Sequence, residues 1–80
     1  MRRDELRARL IAEREQRQAQ AVAIVDRLPQ AHILEEVAAT GARLRAKWDR
    51  HPVELCDLEL LDINARALTE LRERESERRV

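Results

Sequence analysis

Eighty residues can build one domain at most, near the size at which a single hydrophobic core needs help from a staple or a partner. Sixteen basic and sixteen acidic side chains cancel, which excludes the overall positive field that coats nucleic acid or anionic membrane, and the lone Cys56 excludes a disulfide within the chain. Hydrophobic residues reach 44%, but twelve of them are alanine and Trp48 is the only aromatic. The core is therefore expected to be small: it holds the chain as a compact monomer only marginally, or shares apolar surface with a second copy or a partner.

The first predicted helix spans about residues 4–28, a stretch without glycine or proline, with Asp4 as N-cap and Glu5 in the first turn. Leu6, Leu10, Ala21, Ile24, Val25 and Leu28 share one side, and Glu13, Arg14 and Arg17 interrupt it. Two arrangements satisfy that pattern. Either Arg14 and Arg17 lay their aliphatic stems over a core, or residues 1–18 project as an arm that docks elsewhere.

Pro29 turns the chain, because the residue before a proline is disfavoured in the α region. The second predicted helix covers about residues 30–50. Ile33, Leu34, Val37, Gly41, Leu44 and Trp48 recur at the three- and four-residue spacing of a packing seam. Gly41 either admits a close helix neighbour or breaks the segment in two.

Pro52 starts the third helix, about residues 53–76, with Glu54 placed to meet the positive end of its dipole. Its stretch VELCDLELLDINARALTEL holds six of the eleven leucines. On a helical wheel the apolar positions spread over roughly 220°, against ~100° for an ordinary surface helix, so one neighbour cannot cover them. Asn64 sits inside that arc, where an amide fixes register or oligomeric state, or faces water at a gap between neighbours. Residues 72–80 carry only charge up to Val80 and read as a solvated, fraying tail, with Glu70–Arg74 and Glu75–Arg79 as i, i+4 pairs.

No segment alternates with period two, so the fold class is all-α: a small three-helix bundle, up-down-up, or a helical hairpin plus third helix, with dimerisation possible in either. In the bundle, Leu6 and Leu10 meet Leu44 and Trp48 at one end, and Ile24 and Leu28 meet Ile33, Leu34 and Leu68 at the other. Arg17, Gly41 and Asn64 fill the middle layer.

The chemistry of the side chains excludes more than it suggests. His32, Glu35, Glu36 and Cys56 lack the paired ligand spacings of helical metal sites. Cys56 lies on the apolar arc, where a buried thiol behaves as a small hydrophobe. Ser76 is the only serine, and Gly41 alone cannot build a phosphate loop. Catalysis, cofactors and a small-molecule substrate are not expected. Neither an apolar leader region nor a run of 18 apolar residues occurs, so a soluble cytoplasmic protein without membrane association is expected.

What remains is an interaction module: a regulator, inhibitor or accessory subunit of a larger protein, or a homodimer. The interface candidates are Arg14, Arg17, Val37, Leu44, Trp48, Leu60, Asn64 and Leu68. Val37, Leu44 and Trp48 anchor the second helix to the third, while Arg14, Arg17 and Asn64 specify a polar contact. The alternative is a DNA-binding regulator. Residues 34–48, LEEVAATGARLRAKW, resemble a helix-turn-helix with its turn at Thr40–Gly41 and Arg43, Arg45, Lys47 and Arg50 as DNA contacts. They depart from that motif at Val37, where alanine is usual, and in the short stretch between Gly41 and Pro52.

Overall fold

Three helices account for nearly all of residues 2–79, which the computed structural model describes. They are α1 (Arg3–Arg27), α2 (Gln30–Trp48) and α3 (Leu55–Arg79), and no strand occurs among the described residues. The all-α, three-helix architecture follows from the period of the apolar residues and from the two prolines that punctuate them.

The helix ends differ in detail from the predicted ones. Arg2 occupies the N-cap of α1 and makes no side-chain cap bond, so Asp4 is not the cap; with Glu5 it lies in the first turn, where the dipole favours acid. Leu28 leaves the helix in an extended conformation, φ −111° and ψ 141°, as Pro29 requires, while its N–H still reaches the Ile24 carbonyl at 3.1 Å. α2 runs unbroken through Gly41, which has no positive φ. There is accordingly no turn at Thr40–Gly41, and the helix-turn-helix shape expected of residues 34–48 is absent.

α3 begins two residues later than predicted, after the Glu54 carbonyl accepts the Asp57 and Leu58 N–H groups. It continues to Arg79, so the charged tail does not fray within the described residues; Val80 lies outside them. The physical reason is Arg74. Its Nη1 lies 2.6 Å from Asp26 Oδ1 on α1 and its Nε 3.4 Å from Glu70, tying the segment down. The pairing of Glu70 with Arg74 is as expected, whereas Glu75 and Arg79 are not within ion-pair distance.

α1 and α3 run parallel and form the principal joint, as the order of their cross-links shows: Arg17 to Asp62, Gln18 to Arg66 and Glu70, Asp26 to Arg74. Beside these polar rungs lies a core of small side chains. Ala21, Val25, Ile33 and Ala67 are buried, with Ile24, Leu28, Val37 and Leu71 packed around them. α2 leans on α3 and touches α1 only sparingly.

The molecule is consequently open. Its radius of gyration is 15.2 Å, against about 12 Å for a compact domain of this length, and it measures 45 × 39 × 17 Å. Leu6 and Leu10 do not meet Leu44 and Trp48, since α1 and α2 diverge from the turn at Leu28–Pro29 and nothing bridges their far ends. Leu34 is also half exposed, although Ile24, Leu28 and Ile33 do pack together.

Candidate interaction surface

The most ordered polar feature is a knot where α2 passes into α3. Asp57, at 2% exposure, accepts hydrogen bonds from Lys47 Nζ (2.9 Å), Trp48 Nε1 (3.0 Å) and the Glu54 backbone N–H (3.0 Å). The last of these is the reciprocal half of a capping box: the third helical residue reaches back to the residue that caps the helix. The Lys47, Trp48 and backbone donors together hold the Asp57 carboxyl down at about 2, against an ordinary 3.8, and the same contact raises the Lys47 ammonium. Asp57 thus fixes the angle at which α2 turns into α3. Sequence reasoning missed it; the available signal was an acid three residues into a helix, just beyond a proline turn from a Lys-Trp pair.

Cys56 is exposed rather than buried: in the first turn of α3 it is Asp57, not Cys56, that Lys47 and Trp48 of α2 cover. Its thiol donates to Glu54 Oε2 at 3.4 Å, and that carboxylate, with partial burial, pushes the thiol upward and away from nucleophilic use.

Above α3, the diverging α1 and α2 enclose a groove of about 690 Å³. Ala23 and Ile24 line one wall, Thr40 and Arg43 the other, and Leu60, Ile63 and Asn64 the floor. This is the space a fourth helix occupies in a complete bundle. Asn64 is half-buried on that floor and makes no side-chain hydrogen bond among the described residues; it lines the groove.

A second uncovered region lies at the end where α1 and α3 both begin. Leu6 (47% exposed), Leu10 (57%) and Ile11 project from α1, and Leu55 (79%) and Leu58 (51%) from α3. Leu55, Leu58, Glu59, Asp62 and Arg17 line a cleft of about 300 Å³ there. The leucine-rich stretch of α3 is therefore covered over its C-terminal half only.

The predicted interface residues divide accordingly. Leu44 is buried, and Val37, Trp48 and Leu68 are half-buried along the joint of α2 with α3. Leu60 and Asn64 line the groove. Arg14 is exposed, while Arg17 pairs with Asp62 at 3.6 Å on the other side of α3. Arg14, Arg17 and Asn64 thus do not converge on one polar contact. Of the residues considered for DNA, Arg43 rests on Thr40 at 3.4 Å and Lys47 is committed to Asp57 and Glu54; Arg45 and Arg50 are exposed. Arg43 and Lys47 share a face of α2, but Arg45 lies about 200° around the axis from Arg43 and Arg50 lies beyond the helix end, so the four do not form one continuous basic face.

No protein family, curated protein or solved structure matches the chain. Among the described residues, no group of three or more His, Cys, Asp or Glu side chains is placed to hold a metal ion. No helix there is long and apolar enough to cross a membrane.

Proposed function

We propose that this chain is a non-catalytic helical module that works by binding another protein, as a regulator, inhibitor or accessory subunit. The observation that carries this reading is the imbalance between its covered and uncovered apolar side chains. Among the described residues five apolar side chains are buried, two of them alanines, while nine large ones remain substantially exposed. Apolar side chains that line a common open surface, as Leu55 and Leu58 do in the cleft and Leu60 and Ile63 in the groove, are the usual mark of a binding site. Hydrophobic floors rimmed by polar residues, such as the groove over α3, are the usual form of a helix-binding surface.

The test is affinity capture of the tagged full chain from lysate of its own host, with and without nuclease, beside the variant Leu60→Glu on the groove floor. A stoichiometric protein that survives nuclease and is lost with Leu60→Glu supports the reading. Recovery that vanishes with nuclease, or that brings down a defined DNA fragment, overturns it in favour of nucleic-acid binding through Arg43, Arg45 and Arg50.

A further inference from the structure

The uncovered ends of α1 and α3 differ in charge as well as in position. Arg3, Leu6, Arg7, Leu10 and Arg14 recur at intervals of three and four residues and share one face of α1. Leu6 and Leu10 there are about half exposed, and Arg3, Arg7 and Arg14 have no acidic partner among the described residues. On α3, Leu55, Leu58, Glu59 and Asp62 share a face in the same way and line the open cleft beside Arg17. From 53 to 65 the chain carries four acids and no base. One surface is leucine with arginine, its one acid, Glu13, being held by Arg9 at 3.4 Å and Arg17 at 4.0 Å; the other is leucine with carboxylate.

We infer that the N-terminal arm of α1, residues 3–14, docks in the Leu55–Leu58–Glu59–Asp62 cleft of a second copy of this chain, and that a two-fold axis makes the exchange reciprocal. This deepens the interaction reading above and rests on it. Three observations select a second copy as the occupant. Charge is complementary, with Arg7 and Arg14 presented to Glu59, which has no ionic partner among the described residues, while Asp62 already holds Arg17 and Arg66. A pairing of the same kind already exists within the chain at the inner end of the cleft, where Arg17 meets Asp62 at 3.6 Å. The size also suffices: a twelve-residue helical arm is about 18 Å long and ~10 Å wide. The reciprocal exchange covers two such arms and two clefts, the scale of a small, concentration-dependent interface. An isologous contact of this kind closes at two copies and leaves no surface for further growth.

The test is sedimentation velocity on the full chain, from micromolar to about 1 mM, with charge reversals at Arg14 and Glu59. Both side chains are exposed and have no ionic partner among the described residues, so the variants keep the wild-type helical signal. The wild type is expected to pass from 9.4 kDa to twice that mass as concentration rises. Arg14→Glu and Glu59→Arg singly each weaken the dimer by tenfold or more, and the two together restore it. A 9.4 kDa species at every concentration overturns the inference, as does a dimer indifferent to both single reversals or one that the double variant fails to restore. Failure of the interaction reading itself looks different: neither a dimer nor a nuclease-resistant partner is found. A monomer that still captures a foreign protein sinks only the self-docking.

Discussion

Gly41 provides the sharpest test of the α2 geometry, because its replacement by alanine should raise stability. The residue lies within an unbroken helix, its φ is negative, and a Cβ built there meets no atom within 4 Å. Neither of the reasons usually found for a mid-helix glycine, a turn or a close neighbour, operates inside this chain. Glycine costs about 0.8–1.0 kcal/mol relative to alanine in a helix interior, and with no steric opposition the whole of that difference should be recovered. For a domain of this size each kcal/mol moves the midpoint by roughly 4–8 °C, so Gly41→Ala should raise Tm by about 3–8 °C. The assay is thermal unfolding followed by far-UV circular dichroism at low protein concentration, where self-association does not contribute. An unchanged or lower Tm would refute the reasoning. It would mean that the helix breaks at this position in solution or that another element packs against the glycine.

Two further outcomes follow from the core and the knot. Ile33 is the one large side chain buried almost completely; Ile33→Ala should cost about 2–5 kcal/mol and lower Tm by ten degrees or more, enough to leave a marginal 80-residue fold partly unfolded at room temperature. Asp57 predicts the acid limb of stability. Its folded carboxyl titrates at about 2 and its unfolded one near the ordinary 3.8, so its stabilisation is complete above about pH 4 and is lost as pH falls toward 2. Trp48, the only tryptophan and a direct donor to Asp57, reports this by fluorescence. In Asp57→Asn the loss between pH 4 and 2 should be shallower; an unchanged acid limb would show that the knot does not govern it.

The period of the apolar residues was enough to read the three helices, their order and the two proline turns, because local spacing and backbone sterics decide those features. Which apolar residues are covered was not legible. The wide arc of α3 correctly implied neighbours on two sides, but a helical wheel carries no information on how far along the axis each neighbour reaches. Glu13, Arg14 and Arg17 were visible as an interruption of α1, and the structure gives its consequence: past Arg17 the α1 seam has no partner, leaving Leu6 and Leu10 outside. Asp57 escaped notice for a different reason. Its donors lie nine and ten residues away across a proline turn, a separation set by tertiary geometry and not by any helical period.

If the chain binds through its uncovered leucines, the division of α3 into a covered and an uncovered half assigns stability and binding to different parts of a single helix. Ala67, at the α1–α3 joint, is buried to 1% exposure and has room for nothing larger; Ala67→Leu should force the helices apart and cost about 1–3 kcal/mol. Leu58, about two and a half turns nearer the start of the same helix, is half exposed, so Leu58→Ser should change stability little. The same change removes apolar area from the open cleft and should reduce association. Paired melting and binding measurements on the two variants therefore give opposite patterns: Ala67→Leu lowers Tm, with association weakened only in step with unfolding, while Leu58→Ser weakens association with Tm nearly unchanged. If Leu58→Ser instead lowers Tm as far as Ala67→Leu, then the N-terminal half of α3 is already covered within the single chain. The uncovered leucines would then be part of the core, and binding would have to lie elsewhere on the molecule.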